Sequence, residues 1–323
     1  MRHHEIAFFE GSFVPLAEAN VNVMTHAFNY GTAVFEGIRG YWNADDEEIY
    51  LFRPREHFVR LLQNASLLKM KLPYDADALC ELTAELVRRN GYREDVYVRP
   101  LAYKTARQIG TKLSPGEALT MFVVPMRDYV DTSRPLAVGV SSWRRVEDNA
   151  IPARGKICGA YVNSALAATE ARDNGYDEAI VLNAAGKVAE GAAMNIFIVR
   201  DGRLVTTPVY ADILEGITRH TVVELARWEL GVETEFRPID RSELYIADEV
   251  FFCGTGAQIA AIGSVDRRPI GDGQVGPLTR RLQALYGDVV RGRVSRYSKW
   301  LLPCRLTPSA LEEDAHCLAT LAD

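Results

Sequence analysis

The stretch IPARGKICGAYVNSALAA, residues 151–168, sets Lys156 between a proline-marked loop and an alanine-rich helical run, with Tyr161 five positions further on. The chain holds seven lysines against thirty arginines, and the neighbours of this one (Gly155, Ile157, Cys158, Gly159 and Ala160) are small or apolar and carry no charge. A lysine on a solvated face normally has charged company. An amine with an ordinary pKa of about 10.4 becomes a usable base or nucleophile when a dry pocket or a nearby cation lowers it. The stretch therefore points to a lysine that holds an aldehyde cofactor as a Schiff base.

Working outward, three segments supply what such a cofactor needs. Glu190 lies in KVAEGAAMNIF beside Gly191, Ala192 and Ala193, where little bulk would stop a flat ring from approaching. A pyridine ring used as an electron sink needs an anion at its nitrogen; an exposed turn glutamate is the competing reading. LEGITRHTV, residues 214–222, places Gly216, Ile217 and Thr218 where a loop enters a helix. Backbone N–H groups and the helix dipole there suit a phosphate, although a simple cap reads the same way. CGTGAQI, residues 253–259, ends a buried strand and offers Thr255 and Gly256 as further donors, or is a tight hairpin turn.

Nearer the start, Arg60 follows His57 and Phe58 on a helix that opens at Pro54, where a surface ion pair is the plain reading. Arg99, in VYVRPLAYK, alternates with Tyr97 on a mostly apolar strand. A buried guanidinium needs an anionic partner, either a substrate carboxylate or an acid from the other domain.

The totals narrow the field. With 323 residues, 48% of them hydrophobic, the chain can bury a large core and is long enough for two domains. Its formal charge of −6 is spread without a basic block, which argues against nucleic acid as a partner. No apolar run approaches the roughly 18 residues of a membrane span, and the opening MRHHEIAFFEG lacks an apolar signal core, so a cytoplasmic location is expected. Five scattered cysteines read as reduced thiols, and the histidines show no metal-ligand spacing. No GxGxxG, GxxxxGK[ST] or GxSxG signature is present.

Periodicity predicts an α+β unit over 1–125. It contains a hairpin about Glu10-Gly11, a strand through Val21 and Val23, helices from Pro54 and from an Asp75 or Asp77 cap, and strands over 96–103 and 118–124. The polar stretch MRDYVDTSRP, 126–135, reads as a linker. A larger cofactor-binding unit is expected over 136–303. Its predicted strands are 136–142, 178–182, 195–199, 204–206, 249–253 and 257–265, and its predicted helices 160–174, 217–230 and 277–291. The remainder, 304–323, reads as a loose helix or frayed tail.

Taken together, YGTAVFEGIR (30–39), REHFVRL (55–61), YVRP (97–100), SSW (141–143), IPARGKICGAYVNS, EGAAMNIF, LEGITR and ADEVFFCGTG resemble the branched-chain amino-acid aminotransferases, and the motifs run in that family's order. The resemblance implies a two-domain fold-type IV pyridoxal-phosphate enzyme, with a smaller N-terminal α/β sandwich and a larger C-terminal domain built on a pseudo-barrel sheet. It implies that Lys156 binds the cofactor and shuttles a proton, that Glu190 meets the ring nitrogen, and that Tyr161 meets the ring hydroxyl. Arg60, Ile217, Thr218 and Thr255 would hold the phosphate of pyridoxal 5'-phosphate. Thr255, Gly256 and Tyr97 would receive the substrate α-carboxylate and Arg99 a distal one, beside a pocket that includes Tyr30, Phe35 and Gly37. Amino acids and 2-oxo acids would be the small-molecule partners, and the chain would self-associate as a homodimer or larger, with Ile109 and Thr111 shaping a partner's pocket. The sequence departs from many relatives at Met194, where they carry a second glutamate, and at Met126. A D-amino-acid aminotransferase, an aminodeoxychorismate lyase or a specialised-pathway aminotransferase is the alternative within the same fold.

Overall fold

The computed structural model describes residues 5–126 and 130–305. The first hairpin joins β1 (Ile6–Phe9) to β2 (Ser12–Pro15) across Glu10 and Gly11, both at positive φ. After the short helix α1 (His26–Tyr30) come β3 (Ala33–Phe35), β4 (Ile38–Asn43) and β5 (Glu48–Phe52). Helix α2 (Pro54–Leu67) opens with proline in its first turn, where a missing N–H is harmless. Helix α3 (Ala76–Asn90) is capped by Asp75, whose side chain accepts from Ala78 N at 2.8 Å, and stops at Gly91 in the left-handed conformation. Strands β6 (Val96–Lys104) and β7 (Glu117–Pro125) complete this part. Phe58, Leu61 and Ala65 of α2, with Leu79, Leu86 and Val87 of α3, bury a shared stripe against the sheet. Truncating a residue such as Leu61 to alanine would remove about 2–5 kcal/mol.

The second part begins with β8 (Leu136–Arg144) and α4 (Tyr161–Asp173), followed by β9 (Glu178–Leu182), β10 (Val188–Gly191), β11 (Asn195–Arg200) and β12 (Arg203–Thr206). Then come α5 (Ile217–Leu230), β13 (Thr234–Phe236), α6 (Arg241–Leu244), β14 (Glu249–Gly254), β15 (Gln258–Val265), β16 (Arg268–Pro269) and α7 (Pro277–Val290). Their sheet runs β10-β9-β8-β15-β14-β11-β12-β13, with β16 attached to β15. Val138, Ile180, Ile196, Phe252 and Ile262 fill its inner face. Helices α5 and α7 cover its outer face through Leu225, Leu282 and Val289, and Tyr41 and Phe52 of the first sheet join that cluster. The fold is the expected mixed α and β arrangement with a curled sheet.

Three sequence expectations change. Val21 and Val23 belong to no strand and are 51% and 73% exposed, so their alternation marks a surface and not a sheet face. Glu190, which falls between the predicted strands 178–182 and 195–199, lies inside a further strand, β10, and is buried, so it is no exposed turn glutamate. Pro303 does not end the second unit: it lies within β17 (Leu301–Arg305), which pairs antiparallel with β5, so the first sheet reads β17-β5-β4-β6-β7-β1-β2 with β3 on β6. The rest of the expected tail, and residues 127–129 of the expected linker, lie outside the described residues.

Candidate active site

Lys156 is held from both parts of the chain. Phe35 N of β3 donates to Lys156 O at 3.0 Å, and Gly159 N donates to Gly31 O at 3.2 Å, so the first sheet's edge grips the lysine segment. The side chain then projects into a cavity of 810 Å³ between the two sheets. There Lys156 Nζ donates to Tyr161 OH at 2.6 Å, and it lies 4.6 Å from the Phe35 ring centre. Phe35 and Tyr161 meet edge-on at 4.6 Å, which fixes the walls around the amine.

One end of the cavity is built around Glu190, which is 3% exposed. Its Oε1 pairs with Arg145 Nη2 at 2.9 Å, and its Oε2 accepts from Asn195 Nδ2 at 2.9 Å and from Leu214 N at 3.3 Å. Burial pushes the Glu190 carboxyl above its ordinary pKa, and the Arg145 charge opposes that shift.

A collar of donors adjoins this end, joined to Glu190 through Asn195. Helix α5 starts at Gly216, so the N–H groups of Ile217 and Thr218 open its first turn. A side chain at Gly216 would put its Cβ 1.9 Å from Asn195 Oδ1, so only glycine lets the loop pass there. Arg60 reaches this collar with its Nη1 donating to Glu215 O at 2.8 Å. Its Nε and Nη2 donate to Glu36 at 2.6 and 2.8 Å, and His57 Nδ1 meets the same carboxylate at 2.7 Å. Glu36 is fully buried: burial pushes its carboxyl up, but the Arg60 guanidinium and then His57 hold it well below the usual carboxylate range.

The third side faces the first sheet. Arg99 Nη2 donates to Tyr97 OH at 2.9 Å, and the guanidinium lies 4.6 Å from the Phe35 ring and 5.2 Å from the Tyr97 ring. Its Nε is buried without an acceptor, and among the described residues Arg99 forms no ion pair, so the structure supplies no interdomain acid for it. A Cβ at Gly37 would lie 2.0 Å from Tyr97 OH, so glycine makes room for that hydroxyl. The turn Thr255-Gly256 between β14 and β15 closes the cavity, tied to β4 by Arg39 Nη1, which donates to Gly256 O at 3.1 Å.

All the residues expected to bind cofactor therefore line one cavity, together with Phe35, Gly37, Tyr97, Arg99 and Gly256. Tyr30 does not. It is 36% exposed, and its hydroxyl accepts from Gly110 N at 2.9 Å on the outer surface, because the 105–116 loop folds over α1 and not over the cavity. Ile109 is 82% exposed, and neither it nor Thr111 reaches this chain's own cavity. Met194 lines the cavity and is buried, as is the thiol-bearing segment at Cys253. Sequence reasoning missed Arg145, Glu36, His57 and Asn195. Glu36 and His57 sat inside quoted motifs, and Arg145 two residues beyond one, but nothing local shows which carboxylate each will meet.

Comparison with known proteins supplies the kinship. Residues 33–265 match the family described as amino-transferase class IV. A probable branched-chain-amino-acid aminotransferase of Aquifex aeolicus is 50% identical over 93% of this chain and 96% of its own length. The crystal structure of the branched-chain aminotransferase from Thermoproteus uzoniensis with norvaline superposes with a TM-score of 0.89 at 43% identity, covering 93% of this chain and 99% of that one. The branched-chain amino acid aminotransferase from Thermobaculum terrenum in its PLP-form (holo-form) gives 0.90 at 41% identity, covering 94% and 100%. A cavity lined by a lysine, a buried acid and a helix start, within a chain this similar over nearly its whole length, leads to one conclusion: the chain belongs to the class IV aminotransferases, among the branched-chain-amino-acid aminotransferases.

Proposed function

We propose that this cavity transfers an amino group between branched-chain L-amino acids (leucine, isoleucine and valine) and 2-oxoglutarate, with pyridoxal 5'-phosphate as cofactor. The observation that carries the reading is Lys156 Nζ, 2.6 Å from Tyr161 OH, in one cavity with a buried anion and a helix N-terminus. The residues present fit the cofactor. The N–H groups of Ile217 and Thr218 at the start of α5, with the Arg60 guanidinium that lines the same cavity, suit a phosphate, and Glu190 suits a protonated ring nitrogen. When bound, pyridoxal phosphate supplies the electron sink that makes an amino acid's α-proton removable.

The chain's own groups do the rest. Arg60, Ile217, Thr218 and Thr255 would hold the phosphate, and Tyr161 would donate to the ring hydroxyl. Lys156 Nζ would hold the proton that moves between the substrate α-carbon and the cofactor carbon, general acid–base work worth about 10²–10⁴-fold in rate. Thr255, Gly256 and Tyr97 would bind the α-carboxylate. An aliphatic side chain would lie against Phe35. A distal carboxylate would complete the pairing that Arg99 lacks among the described residues, which is how one cavity accepts leucine and glutamate in turn.

Purified protein should carry a visible band that shifts when leucine is added, and the K156A protein should show neither. An unchanged band in K156A would remove Lys156 from its role, and a panel of single L- and D-amino acids defines the substrate.

The same reading takes residues 1–125 as a small unit and 136–303 as a cofactor-binding one, with β17 returning to the first sheet. It includes a homodimer or larger assembly. In support, Val23, Phe28 and Ile109 are 73%, 74% and 82% exposed, and the bridge between Thr25 and Arg107 brings their segments onto one surface. An I109D protein that remains as large in light scattering as the parent would weigh against that surface. Among the described residues no helix is long and apolar enough to cross a membrane. Free thiols at Cys80, Cys158, Cys253 and Cys304 support a reducing, cytoplasmic setting.

A further inference from the structure

The acid expected to face the cofactor's ring nitrogen does not set its own charge. Besides Arg145, the titratable groups that bear on Glu190 are Lys156, Arg219 of α5 and the buried thiol of Cys253 in β14. Its other contacts, Asn195 Nδ2 and Leu214 N, are neutral donors. Arg145 is the only cation in ion-pair contact with it among the described residues, at 2.9 Å, and that arginine is itself 9% exposed. A carboxyl this deeply buried tends to take up a proton, and a neutral acid no longer stabilises a pyridinium.

Arg145 also has a second attachment. Its Nε donates to Asp212 O at 3.2 Å, and Asp212 is in the left-handed conformation, φ 60°. The chain turned by Asp212 brings Leu214 N back onto Glu190 and then runs into Gly216 and the start of α5. One guanidinium thus clasps the acid at the ring-nitrogen end and the loop that leads to the phosphate end.

We infer that Arg145 is a positioning residue that keeps Glu190 ionised for the cofactor's ring nitrogen and fixes it relative to the phosphate-binding loop. The inference rests on the pyridoxal-phosphate reading of the cavity.

The test is titration of the apo-protein with pyridoxal phosphate across a range of pH, with the visible spectrum recorded at each point, for the parent, R145M, R145K, E190Q and R145M/E190Q. R145M should bind about 10- to 100-fold more weakly near neutral pH and recover affinity as pH rises and Glu190 loses its proton. R145K, which restores a charge, should regain part of the affinity and the parent's pH profile. The double variant should be no weaker than the weaker single one, because both substitutions disable the same anion. If R145M does not fold, R145Q carries the same expectation. Parent-like affinity and pH profile in the variant, or additive losses in the double variant, would overturn the assignment. A parent protein that binds no pyridoxal phosphate would instead overturn the reading of the cavity beneath it.

Discussion

Glu36 and Glu190 are both buried carboxylates backed by an arginine, yet their proton affinities move in opposite directions. Glu36 receives two N–H groups of Arg60 and the ring of His57, and together these outweigh burial. Glu190 receives one contact from Arg145 and two neutral donors, and burial wins. The difference shows that a nearby arginine does not fix a buried acid's charge; the number and geometry of its contacts do. The two acids suit different tasks. Glu36 is an anion that aims Arg60, whereas burial pushes the pKa of the Glu190 carboxyl up against the charge of Arg145. Arg99 is the third case, an arginine on aromatic rings with no acid paired to it among the described residues.

The contrast is most open to attack through stability. E36Q leaves Arg60 and His57 without their anion and should lower stability by about 3–5 kcal/mol in denaturant unfolding. E190Q removes a single ion-pair contact, and Arg145 keeps Asp212 O as an acceptor, so it should cost less, about 1–3 kcal/mol. Equal losses would break the distinction.

Next in size is R99M. It should raise KM for glutamate and 2-oxoglutarate by about 10- to 100-fold while KM for leucine changes far less, and the melting temperature should hold because no buried acid is orphaned. A parallel loss with both substrates would mean that Arg99 serves the shared α-carboxylate.

The smallest effect is the pH dependence of the apo-protein's unfolding. An unfolded glutamate titrates near about 4.3. With a lowered folded pKa, Glu36 stabilises fully above that value, and its contribution is lost as pH falls below it. With a raised folded pKa, Glu190 makes stability decline as pH rises above about 4.3 toward its folded value. E36Q should flatten the acid side of the profile and E190Q the other side.

Where signals are local, the sequence discloses the fold. Pro54 opens α2, Asp75 caps α3, and Gly91 ends it, each through chemistry within a few residues. The lysine, the buried acid and the helix start of the cavity were also legible, because small residues surround them. Val21 and Val23 misled because alternation looks the same on a sheet and on an exposed apolar surface. Short buried strands such as β3 and β10 offered too few residues for a period to show. Arg145 was silent for another reason: its meaning is the ion pair with Glu190, and only the parallel pairing of β8 with β9, followed by the return of β10, brings the two together.

The pairing of β17 with β5 bears on how the protein is made. During synthesis, β5 and both helices behind it leave the ribosome long before their neighbour exists, and the interior position of Cys304 stays empty until almost the whole described chain has emerged. Meanwhile the nascent first sheet presents a bare edge, open to pairing with another chain. The first half of the protein to be translated is therefore among the last to be finished, and a chain cut short before Leu301 should be prone to clump even though every residue of its cavity is already present.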